Sequence, residues 1–216
     1  VRGYASSFAR CTASLKRREG LAVVTAWDDK GKGGASGKAH YRAEVRNISR
    51  ASGRSAVAAS AYRSAEKVRD HNQEITHEYQ RTAEHLEHSE IITPEGAPEW
   101  TQDRESLWNA VEAAENRKDA RTAREILLSL PRELDPDQRT ELGRKFVNDE
   151  VASRGLVADV AIHNPTARDG QEQPHAHIMT TTRAVDGEGF ASRKDRTLDR
   201  PQGIRALREQ WAEHTN

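Results

Sequence analysis

Segments in which apolar and polar residues alternate are interspersed with segments of helical periodicity along most of the chain. At residues 41–46, Tyr41, Ala43 and Val45 alternate with charged residues, which is the period of a half-buried strand. The Ala-rich segment at residues 55–70 predicts a helix, because its residues have high helix propensity. By the same criteria we predict further strands at residues 75–79, 89–93, 123–130, 156–163 and 175–183, and further helices at residues 103–116, 135–154 and 201–214. Strands and helices do not alternate regularly, so we expect an α+β fold in which helices pack against a largely antiparallel sheet.

Residues 1–38 differ from the rest of the chain, because they show no sustained periodicity and end in a Gly-rich run at residues 31–38. The run invites comparison with the phosphate-binding pattern G-x-x-x-x-G-K-[ST]. Lys32, however, stands where that pattern needs Gly, and Ala39 where it needs Ser or Thr. We therefore predict a flexible N-terminal tail or linker at residues 1–38 and one domain at residues 39–216.

The composition is that of a globular protein, with 35% hydrophobic and 31% charged residues among 216. Cys11 is the single cysteine, so the chain cannot form an internal disulfide or a cysteine-based zinc cluster. No segment approaches the roughly 18 consecutive apolar residues of a membrane-spanning helix, and the first residues lack the apolar region of a secretory signal. We expect a cytoplasmic protein without membrane insertion, in which any metal ion is held by His or carboxylate side chains.

The formal net charge is zero, but the charges are segregated along the chain. Residues 42–69 contain seven basic and two acidic side chains, whereas residues 74–115 contain eleven acidic and two basic ones. Such segregation is typical of a nucleic-acid-binding surface beside an acidic one, and also of solvated helix faces. Charge alone does not decide between the two interpretations.

Three histidines are placed where neighbouring strands would bring them together. His175 and His177 are two residues apart in one predicted strand, so their side chains point to the same face. His163 ends the preceding predicted strand, and antiparallel pairing would bring it beside the other two. Three imidazoles on one patch of a sheet are a candidate site for a divalent metal ion with open coordination positions. A cupin-type site is disfavoured, because it needs Glu where this chain has Thr181.

Five segments carry the pattern of a known family. They are residues 53–63 (GRSAVAASAYR), 124–131 (REILLSLP), 162–165 (IHNP), 174–183 (PHAHIMTTTR) and 189–194 (GFASRK). Together, and in this order, they resemble the MobA/MobL family of plasmid mobilisation relaxases, which includes the relaxase portion of TraA-type proteins. The resemblance extends from about residue 39 to the last residue.

The resemblance implies a nuclease fold with a central five-stranded antiparallel sheet and flanking helices. It implies that His163, His175 and His177 hold a divalent metal ion and that Tyr62 is the nucleophile that attacks DNA. The expected ion is Mg²⁺ or Mn²⁺, with Zn²⁺ or another transition metal as the alternative. The expected reaction nicks one strand at a plasmid origin of transfer and leaves a 5′-phosphotyrosyl intermediate. The alternative for Tyr62 is a ring that packs its helix onto the sheet.

Glu125 interrupts an apolar strand, on the face opposite Ile126. In the family the matching acid lies near the histidines, where a carboxylate can orient an imidazole, so Glu125 joins the catalytic-site candidates. Relatives often carry a second acid two residues further on, at the position of Leu127. Asp159 has the same strand parity as His163 and is a rival for the orienting role. A salt bridge at the sheet edge is the alternative for either acid.

Four basic residues near these motifs, Arg54, Arg63, Arg193 and Lys194, are candidates for holding the DNA backbone. The resemblance also implies partners in a bacterial cytoplasm, namely single-stranded DNA at the transfer origin, accessory relaxosome proteins and a coupling protein. Two other functions stay open. One is a rolling-circle replication initiator or transposase of the same chemistry, which usually places its His pair before the tyrosine. The other is a non-catalytic module that binds single-stranded DNA.

Overall fold

The centre of the fold is a five-stranded sheet in which every pair of neighbouring strands is antiparallel. The computed structural model describes residues 42–216, so the predicted tail and Tyr41 lie outside the described residues. The sheet strands are β1 (Ala43–Ser49), β4 (Leu86–Ile92), β5 (Arg121–Ser129), β6 (Ala158–His163) and β7 (His175–Thr181), in the spatial order β1-β5-β7-β6-β4. The prediction of an α+β fold with a five-stranded antiparallel sheet is confirmed.

Two short hairpins lie outside this sheet. In the first, β2 (Val68–Asp70) pairs with β3 (Ile75–His77), and in the second, β8 (Arg183–Asp186) pairs with β9 (Gly189–Lys194). The helices are α1 (Ala56–Ser64), α2 (Gln80–Ala83), α3 (Arg104–Ala113), α4 (Pro136–Glu150) and α5 (Pro201–Thr215). Short 3₁₀ helices occupy Arg50–Ser52, Glu99–Gln102, Ala152–Arg154 and Thr197–Asp199. Among the residues described, no helix combines the length and the apolar character needed to cross a bilayer.

The helix starts follow local sequence signals. At α4, the side chain of Asp135 accepts a hydrogen bond from the N–H of Gln138, and the Gln138 side chain accepts one from the N–H of Asp135. Asp103 caps α3 and Ser55 caps α1 through similar side-chain contacts to backbone N–H groups. These residues determine where each helix begins, and the predicted starts agree with the structure to within one residue.

The helix predicted at residues 55–70 is shorter in the structure. α1 ends at Ser64, and Ala65 adopts a left-handed φ of 56°. Asp70 is buried and accepts a hydrogen bond of 2.8 Å from the hydroxyl of Ser55, at the start of α1. A continuous helix would hold these two residues about 22 Å apart. The tertiary contact therefore overrides the helix propensity of the segment, and the chain turns back into β2.

Other predicted elements are also shorter, among them the helix capped by Asp135 and the strand that begins at His175. The helix predicted at residues 135–154 ends at Glu150, and a 3₁₀ turn follows that ends at Gly155 with a φ of 75°. The strand predicted at residues 175–183 ends at Thr181, where the hydroxyl donates a hydrogen bond of 2.8 Å to the carbonyl of Arg183. That contact separates β7 from β8.

Two hydrophobic cores lie on opposite faces of the central sheet. On one face, Phe146 of α4 and Trp211 of α5 pack against Ile126 and Ile178. On the other face, helices α1 and α3 pack against residues that include Met179. Because successive residues of a strand point to opposite faces, the side chains of Glu125, His163, His175 and His177 lie on the face that carries α1.

Candidate active site

The three predicted histidines occupy adjacent positions of the sheet. β6 and β7 pair so that His163 lies opposite His175, and Ala161 lies opposite His177. The ring centroids are 5.8 Å apart for His163 and His175, 5.3 Å for His163 and His177, and 5.0 Å for His175 and His177. The strand pairing expected from the sequence therefore brings the three imidazoles together.

Each of these imidazoles uses one ring nitrogen for a hydrogen bond to a protein oxygen. His163 donates through Nε2 to the carbonyl of Arg63 (2.8 Å), and His175 through Nδ1 to the carbonyl of Gln173 (2.9 Å). His177 donates through Nδ1 to Oε1 of Glu125 (2.6 Å). Because carbonyl and carboxylate oxygens only accept, these contacts leave the second nitrogen of each neutral ring available as a ligand.

The three imidazoles are not arranged as a ready-made metal site. Within residues 42–216, no three His, Cys, Asp or Glu side chains form one. The donor set nevertheless suits a metal ion chemically, since each ring retains a second nitrogen. His175 and His177 are half-buried.

Burial lowers the pKa of two of the three histidines. It lowers the pKa of His163 to about 4, helped by the neighbouring His177 and His175 and opposed by the hydrogen bond to the Arg63 carbonyl. Burial also lowers the pKa of His175. Because a neutral imidazole is the form that ligates metal ions, these lowered pKa values prepare His163 and His175 for a ligand role at neutral pH.

Glu125 is the carboxylate that contacts a histidine of this cluster. Burial alone would raise its pKa, but hydrogen bonds from His177 and Arg63 outweigh burial and hold the pKa well below its usual range. Both donors share the same oxygen, with the Arg63 Nε at 2.7 Å from Oε1. Glu125 is therefore an ionised group that fixes the tautomer of His177.

Asp159, the rival candidate, is engaged elsewhere. It is buried on the same sheet face and accepts hydrogen bonds from Ser60 of α1 (2.9 Å) and Trp108 of α3 (2.8 Å). Its main partner is Arg104, which donates to both of its oxygens. Asp159 thus joins α1 and α3 to the sheet, and Glu125 has the contact expected of the residue that orients a histidine.

Tyr62 lies on the solvent side of the last turn of α1 and is 53% exposed. Its ring packs against that of Tyr79 in a T-shaped arrangement, at a centroid distance of 5.3 Å. Val57 and Ala61 bury α1 against the core, so Tyr62 is not the ring that packs this helix onto the sheet. The next residue, Arg63, contacts both His163 and Glu125, which ties the tyrosine to the histidine cluster.

Two of the predicted DNA-binding residues lie at opposite ends of α1. Arg54 is exposed before the first turn, about 13 Å along the helix from Arg63, and lines a polar cavity of about 460 Å³. Arg63 lies at the histidine end, where its guanidinium pairs with Glu125 and donates to the carbonyl of Ala59 (2.6 Å). The structure therefore brings Arg63, but not Arg54, to the site.

The other two predicted DNA-binding residues, Arg193 and Lys194, lie in β9. Lys194 donates to the carbonyl of Arg121 (2.6 Å), at the start of β5, and pairs with Glu115 (2.9 Å). His177 lies opposite Leu127, six residues further along β5, which corresponds to about 20 Å. The hairpin thus holds these basic residues at the far end of the sheet, and their assignment as DNA contacts stays a prediction.

Two arginines at the edge strand β1, Arg42 and Arg46, lie on the sheet face that carries the site. The sequence motifs did not identify them as site residues. Arg46 is opposite Glu125 in the β1–β5 pair, and the carbonyl of Arg42 accepts a hydrogen bond of 2.9 Å from the N–H of Ser129. Both are exposed and share Glu44 as an ion-pair partner. The alternation of residues along β1 could have identified them. Ala43 and Val45, which lie between the two arginines, pack in the core on the other face of the sheet.

The geometry defines an α+β protein in which a histidine triplet on a five-stranded antiparallel sheet contacts the last turn of a covering helix, and this turn carries an exposed tyrosine. The sequence profile of the MobA/MobL family matches residues 54–216, which include Tyr62 and the three histidines. The chain belongs to the MobA/MobL family.

Relatives with curated names share this similarity. The conjugal transfer protein TraA of Agrobacterium fabrum is 36% identical over 194 residues, which are 82% of this chain and 17% of TraA. The mobilization protein MobL of Acidithiobacillus ferridurans is 36% identical over 180 residues, which are 74% of this chain and 47% of MobL. The chain therefore spans less than half the length of either relative.

A solved structure, "Molecular Basis of Vancomycin Resistance Transfer in Staphylococcus aureus", has the same fold. Its chain is 32% identical in sequence to this one. The superposition has a TM-score of 0.74 and covers 82% of this chain and 91% of the other. The likeness extends over nearly the whole of that chain.

Proposed function

We propose that this domain is a conjugative relaxase, which nicks one DNA strand at a plasmid origin of transfer and becomes joined to it through Tyr62. The observation that carries the proposal is the geometry at the end of α1. Tyr62 is exposed to solvent, while the next residue, Arg63, contacts both His163 and the Glu125 partner of His177. An exposed phenol on the helix turn that contacts the histidine cluster suits an attack on a phosphodiester.

In the proposed reaction, the phenolic oxygen of Tyr62 attacks the phosphorus of the scissile phosphodiester and gives up its proton. The bond from phosphorus to the 3′ oxygen breaks, and this oxygen takes up a proton to become a free hydroxyl. The 5′ phosphate stays on the tyrosine as a phosphotyrosyl ester. Because one phosphodiester replaces another, a 3′ hydroxyl can attack the ester and rejoin the strand.

The MobA/MobL family is generally metal-dependent. For this chain, His163, His175 and His177 are the proposed holders of the divalent ion. Support comes from the donor set, since each ring already donates one N–H to the protein and retains a second nitrogen. When bound, the ion supplies Lewis-acid polarisation of the scissile phosphate. Mg²⁺ or Mn²⁺ is the expected ion, but three imidazoles suit transition metals better than Mg²⁺, so Zn²⁺ belongs in the test.

The competing functions predict different behaviour. A rolling-circle initiator or transposase would share the chemistry, but the family match and the position of Tyr62 before His175 support mobilisation. A non-catalytic module would bind single-stranded DNA and form no covalent product. The exposed tyrosine, on the helix that contacts His163 through Arg63, supports the catalytic alternative.

The names of the relatives, a conjugal transfer protein and a mobilization protein, also suggest the setting. We propose that the substrate is single-stranded DNA of a transfer origin in the bacterial cytoplasm. Accessory relaxosome proteins and a coupling protein are the proposed partners. Arg42 and Arg46, which are exposed on the site face at the edge strand, are proposed contacts to the DNA backbone.

The test is a cleavage assay with labelled single-stranded oligonucleotides that tile a cognate transfer origin, with Mg²⁺, Mn²⁺ or Zn²⁺. On a denaturing gel we expect one cleaved product and a protein band shifted by the attached DNA. Tyr62→Phe keeps the ring and should abolish both. Cleavage without a shifted band would instead indicate a hydrolytic nuclease, and binding without cleavage a non-catalytic module.

A further inference from the structure

Arg63 connects the helix of the tyrosine to two different strands of the sheet. Its carbonyl accepts the hydrogen bond of His163 on β6, and its guanidinium pairs with Glu125 on β5. Glu125 in turn accepts from His177 on β7. Arg63, next to Tyr62, therefore contacts His163 directly and is connected to His177 through the Glu125 carboxylate.

The guanidinium of Arg63 is committed to these contacts. The Arg63 and Glu125 side chains are only 14% and 2% exposed, and the charged atoms are 2.7 Å apart. A third contact, from Nη1 to the carbonyl of Ala59, fixes the guanidinium against its own helix. To bind a DNA phosphate, Arg63 would have to leave Glu125 buried with a single partner, which is costly.

We propose that Arg63 is a positioning residue that acts through Glu125, and not a contact to the DNA backbone. Its guanidinium fixes the last turn of α1 to Glu125, the carboxylate that orients His177. The positions of Tyr62 and of the histidine cluster therefore both depend on Glu125. The inference rests on the proposed function, because it concerns the placement of Tyr62 for attack.

The test separates DNA binding from the covalent step. In Arg63→Gln, we expect single-turnover adduct formation at saturating oligonucleotide to slow about 100-fold, since misplacement by about 1 Å costs that much. The dissociation constant and its salt dependence, measured in a Tyr62→Phe background, should be unchanged. Arg63→Lys keeps the positive charge but loses the planar fork, so its adduct formation should also be slow.

Arg183 provides the matched control. Arg183 lies in β8, away from the histidines. It forms an ion pair with Glu115 (3.0 Å) that is similarly buried, with side chains 20% and 9% exposed. Arg183→Gln removes the same charge and a comparable pair. We expect it to lower the melting temperature about as much as Arg63→Gln while leaving the adduct rate unchanged.

A double-mutant cycle with Glu125→Gln tests whether Arg63 acts through the carboxylate. If it does, Arg63→Gln adds little to the defect of Glu125→Gln, whereas independent actions would multiply. The proposal is overturned if the two effects multiply or if Arg63→Gln leaves the adduct rate unchanged. It is also overturned if Arg63→Lys restores the rate while Arg63→Gln reduces the salt slope by about 0.7, the value for one lost phosphate contact on a single strand. Failure of the proposed function itself would appear separately, as a wild-type protein that forms no adduct.

Discussion

Asp159→Asn should destabilise the protein strongly, because this buried carboxylate is surrounded by donors. Its Oδ1 accepts from Arg104, and its Oδ2 accepts from Arg104, Trp108 and Ser60. An asparagine keeps the shape, but whichever way the amide is turned, its NH₂ group faces an N–H donor of Arg104. The substitution therefore replaces an ion pair with a repulsive contact between two N–H donors, the Asn amide and the Arg104 guanidinium.

The magnitude follows from the burial of the pair. The side chains of Asp159 and Arg104 are 4% and 7% exposed. Burial alone would lower the pKa of Arg104, but the bonds to Asp159 and Glu66 raise it above its ordinary value. Breaking a buried pair by neutralising one partner costs about 3–5 kcal/mol. For a domain of this size each kcal/mol shifts the melting temperature by about 2–4 °C, so we expect a decrease on the order of 10 °C.

Thermal unfolding followed by circular dichroism measures the effect, with Glu66→Gln as the control. Glu66 also pairs with Arg104, but it is 54% exposed. Its neutralisation should therefore cost less than about 1 kcal/mol. A change below about 3 °C in Asp159→Asn, or equal changes in the two variants, would refute the reasoning that the buried network anchors α1 and α3 to the sheet.

Three further predictions concern the site itself. Tyr62→Phe should melt within about 2 °C of the wild type, because the lost hydroxyl is on an exposed side chain. The variant should form no adduct, and an adduct that persists would show that another residue is the nucleophile. His175→Ala should weaken Mn²⁺ binding at least tenfold in calorimetric titration, whereas His71→Ala, an exposed histidine paired with Glu105, should not; equal affinities would contradict the three-histidine site. Because burial lowers the pKa of His163 to about 4, the unfolded chain takes up a proton before the folded one as the pH falls below about 6.5. The metal-free protein should lose about 2 kcal/mol through this residue between pH 7 and pH 5, by urea unfolding, and His163→Gln should lack that part of the pH dependence.

Features encoded by local sequence could be predicted, and the start of α4 is an example. Asp135, Pro136 and Gln138 form its capping signal within four residues, so the helix start needs no tertiary information. The histidine cluster is nearly as local, because strand parity aligns His175 with His177 and one antiparallel connection adds His163. These parts of the fold and site follow from period and spacing.

Features that depend on distant partners could not be predicted. The end of α1 is set by the contact of Ser55 with Asp70, and nothing within the helix marks it. Arg63 and Glu125 are 62 positions apart, so the sequence shows a basic residue beside a tyrosine but not the carboxylate that holds it. The choice between Glu125 and Asp159 likewise required the positions of Arg104 and Trp108, which occupy Asp159.

The most direct test of the central claim is to map the covalent adduct by mass spectrometry. The four tyrosines fall in four different tryptic peptides, residues 3–10, 39–42, 55–63 and 70–81. After reaction with a cognate single-stranded oligonucleotide and a divalent ion, digestion by trypsin and nuclease should leave a nucleotide attached through its 5′ phosphate to the peptide of residues 55–63, on Tyr62. Attachment to the peptide of residues 70–81, or cleavage with no modified peptide, would contradict the account.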